Sequence, residues 1–205
     1  MIKVAENSKS KLKNLIEQIE TYNKIANISQ ISRRYFALNG FDGVITIIGV
    51  LLGNYIVGTT EHNHVIIAGM AVCISLLVSG VWSAYNSESA ERAKELKDLE
   101  MSTLHDLDGT VISRAQRFAT IVLSVVNGLS SGVTAFIPLI PFFFGKLIPI
   151  NLSYYIGFAL AFLILTGIGI FLGRISRRNI FISILKMTVA GVFVILLGYL
   201  LTLIE

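Results

Sequence analysis

Four stretches of the chain are apolar almost without interruption: Phe36 to Val57, His64 to Tyr85, Phe118 to Phe144 and Leu152 to Leu172. A bilayer's hydrocarbon core of about 30 Å takes roughly 20 helical residues to cross, and each stretch is long enough. A fifth, Ile180 to Ile204, has Lys186 near its start. There the side chain can snorkel to the headgroups while its stem stays in lipid. The pattern predicts an all-α, polytopic membrane protein of five transmembrane helices.

Ahead of the first span, Leu12, Leu15, Ile16, Ile19, Tyr22 and Ile25 recur at helical spacing with Lys and Glu between them. This predicts an amphipathic helix within an arm of residues 1–34, preceding a transmembrane domain of residues 35–205. The arm lies on the membrane surface, packs on neighbouring loops, or serves as a partner-binding segment. After Tyr85 the second helix meets no breaker, so it is expected to extend beyond the bilayer into a connection spanning residues 86–117.

Composition agrees with this reading. The chain is 54% hydrophobic and 15% charged, with a mean hydropathy of +0.72, too little polar surface for an ordinary soluble domain. The first thirty residues lack the apolar core and cleavage site of a secretory signal. Cys73, in an apolar run, is expected to be a buried, inert thiol. The net charge of +4 does not mark a nucleic-acid binder, because the basic residues are spread over separate connections. They set orientation instead. Seven precede the first span, five follow the second, four follow the fourth, and Lys146 stands alone in the others. The positive-inside rule then predicts a cytoplasmic N-terminus and places Glu205 outside.

Asp42 is the acidic residue inside a span, about six residues or ~9 Å beyond Phe36. A carboxylate at that depth is costly unless it meets a polar cavity, a cation or another helix, so it is a candidate transport residue or a structural cap. Asn39 and Thr46, at i−3 and i+4, are expected to share its face. Gly40, Gly43, Gly49 and Gly53 suit close helix packing, within the chain or between subunits, or a hinge. Ser79, Ser83 and Asn86 form the polar end of the second span and, with Asp42, Asn39 and Thr46, are candidates for a transport path. Beyond them, Glu88, Glu91, Glu95 and Asp98 fall within an arc of roughly 80° at 100° per residue. Like charges so placed repel unless offset. Two readings stay open: a solvated helix balanced by Glu88–Arg92 and Lys94–Asp98 pairs, or oxygen ligands for a divalent cation. Glu100, His105, Asp106 and Asp108 could extend the second.

Other motifs carry less. His62 and His64 lie at the opposite end of the second span and are expected to be interfacial. Gly128-Leu-Ser-Ser-Gly132 satisfies a hydrolase pattern, but inside a transmembrane helix with no histidine base nearby. Pro138 and Pro141 predict a kink in the third span. Asn39-Gly40-Phe41 with Gly43-Val44 faintly echoes Asn127-Gly128-Leu129 with Gly132-Val133.

The chain resembles the vacuolar iron transporter family from about Arg33 to Leu203. The resemblance rests on Asn39-Gly-Phe-Asp-Gly43, the acidic prolongation of the second span, Pro138-Leu-Ile-Pro141, and Gly173-Arg-Ile-Ser-Arg-Arg178 leading to Leu185-Lys-Met187. It implies a five-helix homodimer that exports ferrous iron, and in some members manganese, from the cytosol in exchange for protons. Asp42 matches the family's membrane-embedded carboxylate, and Glu88, Glu91 and Glu95 its metal-collecting glutamates. Gly80 and Ala84 stand where many members have Met and Glu, and the connection at 86–117 is short. Loss of the thioether favours harder cations or another function, such as a scaffold that retained the fold. No nucleophile, base and orienter can be grouped in one leaflet, so an enzyme is not expected.

Overall fold

The computed structural model describes residues 2–177 and 179–201, with side-chain surroundings given for 13–177 and 179–200. The side chains of Lys3, Lys9, Lys11 and Leu12, all of Arg178, and the expected end of the fifth span at Ile204 and Glu205 lie outside it. The described residues form helices joined by short turns, with no strand. Helix α1 (Ile2–Ala26) turns at Asn27, which adopts φ 50°, into α2 (Ile28–Ile56). Next come α3 (His62–Thr103) and α4 (Val111–Phe136), then a 3-10 turn (Ile137–Leu139) and α5 (Ile140–Phe143). Helices α6 (Ile150–Ile175) and α7 (Ile180–Leu201) complete the described residues.

Among the described residues five segments are long and apolar enough to cross a membrane: α2, α3, α4 through α5, α6 and α7. Their outer surfaces carry exposed Ile67, Ile74, Val78, Trp82, Phe181 and Phe193. A soluble protein does not leave apolar surface of this extent to water, whereas hydrocarbon accepts it. The chain is an integral membrane protein.

Helix ends differ from the apolar runs in informative ways. Helix α2 begins at Ile28, within the arm of residues 1–34, and carries Arg33 and Arg34 in unbroken helix toward the apolar stretch. The connection expected at 86–117 is mostly helix as well, since α3 continues to Thr103 and α4 starts at Val111. Thr110 caps α4 by accepting a hydrogen bond from Ser113 N at 3.4 Å. The interruption at Pro138 and Pro141 is present: lacking N–H donors, they convert the helix into the 3-10 turn and α5.

Helix α4 is the centre of the bundle, packed on α3 and α2, while α6 and α7 cover the other side of α2. Glycine sets two of these approaches. A Cβ on Gly43 would lie 2.2 Å from Ser131 O, and one on Gly80 2.8 Å from Gly128 Cα. Around these crossings Val44, Ile48, Ala161, Leu165 and Ile168 join α2 to α6. Ala26 and Ile28 seat the arm's end on Ala119 and Leu123 of α4. The start of α2, the end of α3, the start of α4 and the end of α6 gather at one end, here called the basic end.

Candidate functional site

Helix α2 turns Ala37, Gly40, Gly43, Val44, Ile47, Ile48 and Leu51 inward. Leu38, Asp42, Gly49 and Gly53 are left on an exposed face. Asp42 is therefore within the span yet not covered by its own chain. Its carboxylate has no hydrogen-bond or ion-pair partner among the described residues; Thr46 Oγ1 donates to Asp42 backbone O at 2.7 Å instead. Among the described residues no atom beyond the surrounding turn of α2 lies within 4 Å of a Cβ built on Gly49 or Gly53, so these two glycines mediate no close packing there.

The polar face expected for Asn39, Asp42 and Thr46 is split. Asn39 turns inward, donating through Nδ2 to Tyr35 O at 3.0 Å and to Asn127 Oδ1 on α4. Asn127 Nδ2 in turn donates to Gly80 O on α3 at 2.8 Å. Two asparagines thus tie three helices together, each from one copy of the Asn-Gly echo in the sequence. Ser79, Ser83 and Asn86 stay on the exposed side of α3, where each donates to its own helix backbone.

The acidic stripe on α3 is also divided by its neighbour. Glu88 and Arg92 are buried between α3 and α4, with Glu88 Oε2 3.1 Å from Arg92 Nε. Tyr35 Oη donates to Glu88 Oε1 at 2.5 Å. Arg92 Nη1 donates to Gln116 Oε1 at 2.7 Å and lies 3.5 Å from Glu95 Oε2, which also accepts from Gln116 Nε2 at 3.2 Å. The Glu88–Arg92 pair forms as one sequence reading required, but it is buried, not solvated. The Lys94–Asp98 pair is not among the ion pairs of the described residues. Glu91 and Asp98 remain exposed.

Residues that could have extended a cation site instead build the α3–α4 turn. Glu100 Oε1 accepts from Leu107 N, Asp106 Oδ1 from Asp108 N, and Asp108 pairs with Arg117 at 3.0 Å. Among the described residues no group of three or more His, Cys, Asp or Glu side chains is placed to hold a metal ion. A cation bound at Asp42 or at the stripe would need ligands of another type or from another chain.

Sequence reasoning missed a buried polar column on α4: Ser113, Gln116, Thr120, Ser124, Asn127, Ser131 and Thr134. Its 3–4 residue spacing was a visible signal. Thr134 Oγ1 donates to Gly40 O at 2.9 Å, joining the column to α2. At the far end, His62 Nε2 is 3.4 Å from Ser153 Oγ, and exposed His64 lies 3.7 Å from Glu61. Cys73 is a buried free thiol.

No protein-family model and no solved structure matches the chain. It is similar to a protein of Methanocaldococcus jannaschii described as uncharacterized, 27% identical over 169 residues, which span 81% of this chain and 86% of that one.

Proposed function

We propose that the chain is a divalent-cation transporter acting as a homodimer, moving ferrous iron or manganese out of the cytosol in exchange for protons. The observation that carries the reading is Asp42, a carboxylate inside the span, on a face of α2 that the chain leaves open, with no partner among the described residues. Such a group facing hydrocarbon is costly. A second copy packed on the same face, where Gly49 and Gly53 allow close approach, would bring two Asp42 side chains to a shared polar path about a twofold axis. One carboxylate serves a proton or a cation, so the two compete, which is the minimum chemistry for exchange.

In this reading the basic end is cytoplasmic, by the distribution of Lys and Arg, and the C-terminus is on the other side. The membrane is the cell membrane in a prokaryote or a vacuole-type membrane in a eukaryote. Exposed Glu91 and Asp98 on the projecting part of α3 gather cations. Glu88 and Glu95 instead hold Arg92 and the α3–α4 contact.

A second reading, a membrane scaffold that keeps the fold without transport, is favoured by the engagement of Glu88 with Arg92 and by Gly80 and Ala84 at the expected Met and Glu positions. Purified protein in liposomes separates the two. Entry of Fe²⁺, Mn²⁺ or Ca²⁺ that exceeds empty liposomes and rises with a proton gradient supports transport. No flux of any of them supports the scaffold.

A further inference from the structure

Between the basic ends of α2 and α6 lies a cavity of about 310 Å³ lined by Gln30, Ile31, Arg33, Arg34, Leu172 and Ile175. Its charged wall is uncompensated. Neither Arg33 nor Arg34 takes part in any ion pair of the described residues. Arg33 Nε donates to Ser29 O at 3.2 Å, and the Arg34 guanidinium stands 5.8 Å from the Tyr35 ring centroid. Most of their guanidinium N–H donors are left for a group from outside the chain. The opposite wall is apolar, and α2 and α6 also meet through Phe36 and Phe171, edge to face at 5.5 Å.

The carboxyl end of α6 carries carbonyl groups that would repel an anion, yet two of them are already engaged. Ser176 N donates to Leu172 O at 2.9 Å and its hydroxyl to Gly173 O at 3.4 Å. What remains is a pair of forked cations facing Leu172 and Ile175 at the point where α2 enters its apolar run. Guanidinium forks match phosphate oxygens in geometry and charge. A small hydrated anion gains nothing from the apolar wall, whereas a lipid uses both halves.

We infer that this cavity binds the phosphate-bearing headgroup of an anionic phospholipid, with the phosphate on Arg33 and Arg34 and the first acyl carbons against Leu172 and Ile175. Basic pockets between membrane helices recognise such headgroups. The inference is independent of the transport reading.

The test uses the full chain in nanodiscs, reading lipid retention by native mass spectrometry and thermal stability in phosphatidylglycerol against phosphatidylcholine. Two basic residues near an anionic surface predict a preference of about thirtyfold for phosphatidylglycerol, falling about fivefold for Arg33→Gln or Arg34→Gln alone. The double variant should lose the preference yet melt in phosphatidylcholine as the wild type does. Arg114→Gln, an exposed cation outside the cavity, should keep it. A preference that survives the double substitution, or is lost equally in Arg114→Gln, would overturn the site. Inorganic phosphate reproducing the stabilisation in phosphatidylcholine would overturn the lipid as its source.

Discussion

Arg92 Nε sits 3.1 Å from Glu88 Oε2 inside the α3–α4 contact, with both side chains less than a tenth exposed. Two charges taken out of water are stable there because each neutralises the other, with Tyr35 donating to Glu88 and with Gln116 and Glu95 beside the Arg92 guanidinium. Removing one partner of such a pair leaves the other charge buried and uncompensated, at a cost of roughly 3–5 kcal/mol. Arg92→Met should therefore destabilise the protein by about that much, and Glu88→Gln/Arg92→Met by clearly less than Arg92→Met alone. Chemical unfolding in detergent checks the difference. A double variant no more stable than the single one would show that the pair is not coupled.

The Asn39–Asn127–Gly80 chain predicts an order of effects. Interhelical hydrogen bonds in membranes average about 0.6 kcal/mol and reach about 1.7. Asn127→Ala removes two of them and should cost more than Asn39→Ala. Equal or reversed losses on unfolding would contradict the bridging role of Asn127.

Two glycines six residues apart on α2, Gly43 and Gly49, should behave oppositely. Gly43→Ala places a Cβ against Ser131 backbone and should destabilise the fold by about 1–3 kcal/mol, the usual range for overpacking. Gly49→Ala meets open space and should not destabilise the single chain. In native membranes, cross-linking should yield a dimer that Gly49→Leu weakens without unfolding the chain. A strictly monomeric wild type would remove the proposed role of this face.

Topology is checked with reporters. One placed between Asp106 and Gly109 should report the cytoplasmic side, and one fused after Glu205 the opposite side. A cytoplasmic C-terminus would contradict the proposed orientation.

The spans were legible because uninterrupted apolar runs of this length have few other uses, and five appear where they were expected. Helix limits were not legible from hydropathy. Polar Arg33, Arg34 and Tyr35 extend α2 as readily as apolar residues would, so the helix outruns the apolar stretch at its start. The acidic stripe was visible, but not which of its edges would meet α4. That edge decides that Glu88 and Glu95 hold Arg92 while Glu91 and Asp98 face out. Asn39 and Asp42 shared a face by spacing alone, yet one lies against α4 and the other on the open side. The α4 column from Ser113 to Thr134 escaped notice because averaging over a span dilutes single polar residues among apolar ones.

The proposed function stands most directly on Asp42. Asp42→Asn keeps the side chain's size and some hydrogen bonding while removing its titratable charge. In liposomes loaded with a proton gradient, the variant should lose Fe²⁺ and Mn²⁺ flux to the level of empty vesicles while its melting behaviour and cross-linked dimer stay as in the wild type. The double substitution Glu91→Gln and Asp98→Asn, on the exposed face of α3, should instead raise the metal concentration needed without abolishing flux. Normal transport by Asp42→Asn, or its unfolding, would contradict the account and leave this carboxylate as a structural group.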